Sequence, residues 1–272
     1  MTGRITKDTV MCMSLAHRPS NIGTRFHNYL YEELGLDYVY KAFTTSDLEG
    51  AVRGIRALGI RGCGVSMPFK EACMQYVDRI DESARAIGAV NTIVNTGGVL
   101  DAYNTDYIAV KTLLADRKIS MADTFAVRGS GGMAKAVLAA LRDSGLGSGT
   151  VIARNEQTGQ ALAARYGYSW QPALQASQPQ LLVNATPVGM ADGPAADELS
   201  FPDQAVRAAT TVFDVVAVPA LTPLVALARS LQKAVITGAE VASLQALEQF
   251  ALYTGVRPTA EQAQRASEYS RA

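Results

Sequence analysis

The chain has 272 residues, balances 25 Lys and Arg against 25 Asp and Glu, and is 48% hydrophobic. That length favours two domains with ample apolar content for buried cores, and the charge balance excludes a strong field for nucleic acid or an anionic membrane, so the partner expected is a small molecule. No apolar run approaches the length that crosses a bilayer, Met1 to Thr9 is polar and charged, and Cys12, Cys63 and Cys73 lack metal-ligand spacing, so reduced thiols, no metal and a soluble cytoplasmic protein are expected.

The first half alternates strand and helix signals. Thr9 to Leu15 reads as a strand, His17 to Thr24 as a turn-rich stretch and Arg25 to Leu34 as a helix. Tyr38 to Phe43 is a second strand by its aromatic and β-branched content, and Thr45 to Leu48 makes a capping start for a helix over Asp47 to Leu58,. Arg61 to Met67 is a strand ending at Pro68, and Lys70 opens a helix carrying Cys73, Tyr76 and Ile80 inward,. Strands that alternate with helices imply a parallel sheet.

The pattern restarts after Asp106. A helix over Tyr107 to Arg117, a strand over Thr124 to Val127, a glycine turn, a helix over Met133 to Ser144 and a strand over Thr150 to Ala153 form a nucleotide-binding type βαβ unit,. A helix over Gln157 to Tyr166 and strands at Leu181 to Asn184 and Thr211 to Val216 follow, with a surface loop through Pro187, Gly189 and Ala191 to Leu199,. The helix Glu240 to Thr254 closes the fold, and the Ala/Gln-rich stretches 171–180 and 259–266 read as exposed,. The fold class expected is α/β: an N-terminal α/β substrate domain (1–106 plus 239–272), a Rossmann-type doubly wound nucleotide-binding domain (107–238) and a cleft between them,.

Within Val127-Arg128-Gly129-Ser130-Gly131-Gly132-Met133-Ala134, the glycines stand between a strand and a helix. There the backbone must turn sharply and approach a pyrophosphate, whose charge the helix N–H groups meet; an ordinary tight βα turn is the competing reading. Arg154 follows the next strand, where an arginine suits a ribose 2′-phosphate and a carboxylate suits the free hydroxyl,. NADP is therefore favoured, although Glu156 keeps NAD open and Arg154 could be a solvated surface cation,.

Moving a hydroxyl proton needs an acid–base group, and Lys70, after Ser66-Met67-Pro68-Phe69 at a strand end, is the candidate,. Gly88-Ala89-Val90-Asn91-Thr92 and Tyr103-Asn104-Thr105-Asp106 read as pocket linings. Asp106 beside Lys70 would hold its ammonium; it is equally placed to cap the helix that follows,. His17 and His27 stand without a metal-spaced partner, and His27 reads as a packing or capping residue,.

Met67-Pro68-Phe69-Lys70, Gly88-Ala89-Val90-Asn91-Thr92, Asn104-Thr105-Asp106, Gly129-Ser130-Gly131-Gly132, Asn184-Ala185-Thr186-Pro187-Val188-Gly189-Met190 and Gln245 together resemble the shikimate dehydrogenase family, in order and over nearly the whole chain. The resemblance implies NADP-linked interconversion of 3-dehydroshikimate and shikimate, on the chorismate route of aromatic amino acid biosynthesis. It makes Lys70 the proton-transfer residue with Asp106 its partner and gives substrate hydroxyls to Ser66, Asn91 and Gln245; Asn21, an amide where the family has a serine, is expected to bind substrate beside them. The cofactor is expected on Gly129, Ser130, Gly131, Gly132, Met133, Arg154, Asn184, Thr186 and Gly238, and the chain is expected to be a monomer or a homodimer.

The chain departs from the family's Ser-x-Ser-Pro at Asn21-Ile22-Gly23-Thr24, has Ala217 where a tyrosine is usual and Gly64 where an asparagine is usual. Each lost hydrogen bond to a charge costs about 1.5 to 3 kcal/mol, so shikimate itself is expected to be a poor substrate; the whole pattern, including Arg18-Pro19-Ser20-Asn21, most resembles the shikimate dehydrogenase-like branch. Two other readings stand beside the enzyme: a cofactor-binding or regulatory module with little turnover, motivated by Gly23 and Ala217, and an NAD-linked quinate/shikimate dehydrogenase.

Overall fold

The structure is a computed structural model and describes residues 5–175 and 178–271. Residues 1–4 of the polar opening and residues 176–177 of the stretch 171–180 lie outside it. The chain divides into two compact units, Met1–Thr105 with Ser243–Ala272, and Asp106–Ala242.

The first unit begins β1 (Val10–Leu15), α1 (Ile22–Glu33), β2 (Tyr38–Phe43), α2 (Leu48–Ala57), β3 (Gly62–Val65) and α3 (Phe69–Ala72), which runs into a 3₁₀ turn at Cys73–Tyr76. It continues β4 (Arg79–Ile80), α4 (Glu82–Ile87), β5 (Thr92–Thr96) and β6 (Val99–Tyr103). Local chemistry sets the helix ends: the Asp47 carboxylate accepts from Gly50 N at 2.8 Å at the start of α2, and Gly88 turns left-handed at the end of α4,.

The six strands lie in the order β2-β1-β3-β5-β6-β4, and the expectation of a parallel sheet needs correction here. β1 runs parallel to β2 and β3, but β5 is antiparallel to both β3 and β6. For β5 and β6 the cause is Gly97-Gly98, both at positive φ (60° and 90°), between the paired Thr96 and Val99. A two-residue turn of that kind matches strand twist and closes a hairpin with no helix between its strands.

Alternation along β1 sends Cys12 to one face and Met13 to the other. Met13 packs with Val52, Ile55 and Ile93; Cys12 packs with Phe26, Leu30, Phe250 and Tyr253.

The second unit holds most of α5 (Thr105–Asp116), then β7 (Phe125–Arg128), α6 (Gly132–Asp143), β8 (Gly149–Ile152), α7 (Glu156–Tyr166), β9 (Ser169–Gln171), β10 (Leu181–Asn184), α8 (Asp203–Ala208), β11 (Thr211–Asp214), α9 (Pro223–Ser230) and β12 (Ala234–Thr237). The order β12-β11-β10-β7-β8-β9 is parallel throughout, which is the doubly wound arrangement expected of a Rossmann-type domain,. α6 buries Ala134 and every residue from Ala136 to Leu141, as a helix pressed on a sheet does,.

The closing helix α10 (Gly238–Thr254) returns the chain to the first unit, and α11 (Ala260–Arg271) follows it. The stretch 259–266 is thus not simply exposed: Ala263 and Ala266 are buried, their small side chains letting α11 lie close on α1. Among the described residues no helix is long and apolar enough to cross a membrane.

Candidate functional site

In the second unit the chemistry gathers where β7 and β10 separate the two halves of the sheet. Their register aligns Arg128 with Ile152 on one side and Asn184 on the other, so three strand ends open on one edge. In open α/β sheets ligands bind at this switch point, outside the carboxyl ends of the strands. A cavity of about 1040 Å³ lies there, lined by Arg128, Gly129, Ser130, Arg154, Asn155, Thr186 and Phe201 among others.

Gly129 sits at φ +129°, and a Cβ on it would meet Ala185 O at 2.6 Å, so only glycine allows this approach of two backbones,. Gly131 caps α6 in an extended conformation, and a Cβ at Gly131 or Gly132 would meet nothing within 4 Å. That clearance lies over the N–H groups of the first turn of α6, where an anion is stabilised. A close-packed first glycine and two open ones suit a dinucleotide pyrophosphate, so these residues fit the cofactor that the sequence implies.

Gly129, Ser130, Arg154 and Thr186 line this cavity, with Gly131 and Gly132 exposed at the start of α6 and Met133 half-buried behind them. Arg154 is exposed just past β8, next to Asn155, whose side chain caps α7 by accepting from Thr158 N at 2.9 Å.

Asn184 is fully buried. Its Nδ2 donates to Val188 O and to Asp214 Oδ1, both at 3.0 Å, and its Oδ1 accepts from Thr186 N and Oγ1. An amide engaged in this way shapes the loop that carries Thr186 at the edge of the cavity. Asp214 also accepts from Val216 N and Thr222 Oγ1, yet burial still pushes its carboxyl above the usual range. Gly238 is a packing glycine, since a Cβ there would lie 2.4 Å from the Val215 and Val216 backbone.

The first unit gathers polar groups at the ends of β1, β3 and β5. Ser66 N donates to Leu15 O, Val65 N to Asn91 O, and Val90 N to Lys70 O at 2.9 Å. Ser66, Lys70 and Asn91 are therefore brought together by backbone bonds, Ser66 exposed and Lys70 half-exposed. The Oδ1 of the buried Asn91 accepts from Thr105 N (2.8 Å), Thr92 Oγ1 (2.9 Å) and Thr105 Oγ1 (3.1 Å). Donors converging on the oxygen fix the amide plane and turn Nδ2 away from Thr105.

Gln249, which the sequence reading passed over, donates from Nε2 to Thr92 Oγ1 (2.9 Å) and Asn91 O (3.1 Å). Gln245 lies one turn earlier on α10, half-buried on the same face,. Asp106 belongs to the first turn of α5, which starts at Thr105. It is therefore not the N-cap, though its charge still suits the helix's positive end.

Asn21 is exposed at the start of α1, its side chain making no cap bond. A Cβ at Gly23 would lie 3.6 Å from the Tyr40 ring, and one at Gly64 would lie 3.0 Å from the Tyr40 hydroxyl. Both positions that depart from the family pattern thus face one phenol. His27 is a packing residue, stacked on Tyr40 at 4.4 Å, and burial drives its pKa down to about 3.

These features define an α/β protein with a Rossmann-type nucleotide unit and a second sheet bearing a Ser, Lys and Asn array. A profile of the shikimate dehydrogenase substrate binding domain matches residues 20–93. A shikimate dehydrogenase-like protein of Haemophilus influenzae is 52% identical over 98% of both chains. Among solved structures, a shikimate 5-dehydrogenase-like protein aligns at a TM-score of 0.98 and 52% identity, over 98% of this chain and 100% of that one. The Thermus thermophilus shikimate 5-dehydrogenase in complex with NADP(H) and shikimate aligns at 0.84 and 30% identity, over 96% and 99%. The chain belongs to the shikimate dehydrogenase family.

Proposed function

We propose that the protein is an NADP-dependent oxidoreductase that interconverts 3-dehydroshikimate and shikimate, or a related hydroxylated cyclic carboxylate and its ketone. The observation that carries this reading is the array at the ends of β3 and β5, where backbone bonds set Lys70 beside Asn91 and Asn91's amide is held by three donors. The bound nicotinamide supplies or accepts the hydride. Lys70 gives or takes the hydroxyl proton, and Asp106 is assigned as its carboxylate partner on the strength of the family resemblance. Ser66, Asn91, Gln245 and Asn21 bind substrate oxygens, the first unit serving as substrate domain. In the second unit Gly129 to Met133 receive the pyrophosphate, Arg154 the ribose phosphate, and Thr186 lines the same cavity,.

A second reading, a family fold with little turnover of shikimate, is favoured by Gly23 and Gly64, where two polar side chains of the family pattern are replaced by hydrogen. The discriminating experiment follows nicotinamide absorbance with purified protein, NADP and a panel of shikimate, quinate and other hydroxylated ring acids. Turnover of at least one ring acid supports the enzyme; tight NADP binding with no turnover across the panel refutes it in favour of the second reading.

A further inference from the structure

Arg128 is the last residue of β7, immediately before Gly129, a position where the sequence pattern alone calls for no charge. Its neighbour Val127 is fully buried in the sheet, whereas Arg128 is half-buried and lines the nucleotide cavity. One guanidinium N–H donates to Ser200 O, which fixes the side chain along the cavity wall. A guanidinium carries five donors in a rigid fork, so this bond leaves most of its binding capacity to the cavity.

Arg154, at the end of the adjacent β8, lines the same cavity. Burial, and after it the like charge of Arg154, hold the Arg128 pKa below its usual value, while Glu198 on the same wall opposes that drop. Two guanidiniums facing one space repel each other until an anion enters. A phosphate monoester, carrying about 1.5 to 2 negative charges at neutral pH, balances two cations better than one. Ser130 and Asn155 add polar groups nearby, and Ile152, Leu174 and Phe201 supply an apolar wall for a base.

Resting on the NADP reading above, we infer that Arg128 is a second specificity-determining residue for the ribose 2′-phosphate, gripping it from the β7 side while Arg154 grips it from the β8 side. The adenosine end of the cofactor is thereby selected by two arginines from neighbouring strands. Glu198 is the counter-ion of Arg128 before the phosphate arrives.

Titration calorimetry with NADP, NAD, adenosine 2′,5′-bisphosphate and 5′-AMP tests this on the wild type, R128M and R128K. Loss of one charge-assisted contact predicts that R128M binds NADP and the bisphosphate about ten- to a hundredfold more weakly, with NAD and 5′-AMP within about twofold. R128K, keeping the charge and losing the fork, falls between. The NADP to NAD affinity ratio is independent of the fraction of protein that is folded, so a poorly folding variant still gives an answer. Equal weakening of NADP and NAD would reduce Arg128 to an anchor for the Ser200 loop and overturn the inference, as would an unchanged ratio. A wild type that binds NADP and NAD alike overturns the arginine assignment alone. One that binds neither nucleotide overturns the cofactor reading beneath it as well.

Discussion

The two units build their sites by opposite means. In the second, the cradle is backbone: Gly129, Gly131 and Gly132 follow one another in a single turn, and the partners they need are helix N–H groups and a neighbouring carbonyl. In the first, the site is a side-chain array that depends on distant chain segments, Gln249 reaching Asn91 and Thr92 across more than 150 residues. A backbone site tolerates variation in side chains and recognises what all its ligands share. A side-chain site is rewritten by single substitutions, and under the proposed function Gly23 and Gly64 are where this chain's site would differ from the family pattern.

The contrast breaks most sharply at Lys70. Lys70→Ala should lower turnover by about 100- to 10,000-fold, the range for a lost general acid or base, while NADP affinity by calorimetry stays unchanged. A parallel loss of NADP affinity would mean that the two sites are not separable. Gly129→Ala is the converse: the added methyl, 2.6 Å from Ala185 O on a backbone at φ +129°, should weaken NADP binding by about tenfold or more, since strain there costs of order 1 to 3 kcal/mol,.

Gln249→Leu should have a smaller effect confined to the first unit. Removing a buried donor that two acceptors use costs about 1 to 3 kcal/mol. The sequence supplies a separate reporter for each unit, because Cys12, Cys63 and Cys73 all lie in the first and the sole tryptophan, Trp170, lies in the second. Burial raises the Cys12 thiol to about 11 and the Cys73 thiol to about 12, so both resist labelling at pH 8 until the fold opens,. Gln249→Leu should bring thiol labelling to lower denaturant while the Trp170 fluorescence midpoint stays in place.

The finest prediction concerns pH. His27 is held neutral, with its pKa lowered from 6.5 to about 3, so the unfolded chain takes up a proton that the folded chain refuses. Its contribution to stability is complete above pH 6.5 and is lost as pH falls toward 3, with a limiting slope of about 1.4 kcal/mol per pH unit,. His27→Phe should flatten the pH dependence of the first unit's denaturant midpoint, read by amide hydrogen exchange, over that window relative to wild type; an identical slope in the variant would refute the assignment,.

The same contrast decides what the sequence made visible. The βαβ glycine turn was legible because everything it needs lies within eight residues, and Arg154 follows at a fixed offset past the next strand. The β5–β6 hairpin was missed although Gly97-Gly98 between Asn95-Thr96 and Val99-Leu100 is a local turn signal, because strict α/β alternation was extrapolated across it. Gln249 carried no such signal: its role depends on α10 returning to the first sheet, whereas Gln245 stood out only through the family resemblance. Arg128 sits inside the glycine string, but the direction of its side chain follows from strand pairing. The helices α8 and α9 are only six and eight residues long, too short for a repeating pattern to stand out, and α11 is rich in Ala, Gln and Ser, so tertiary packing is what reveals them,.

The interruption of the first unit by the second orders events on the ribosome. Synthesis runs from the N-terminus, so the segment ending at Ala242 is finished as a continuous stretch while Phe250, Tyr253 and Ala266, which cover one face of the earlier sheet, are still to be made,. The first sheet therefore cannot cover that face until the segment 243–272 has been made, whereas every residue of the second unit is already in the chain by then.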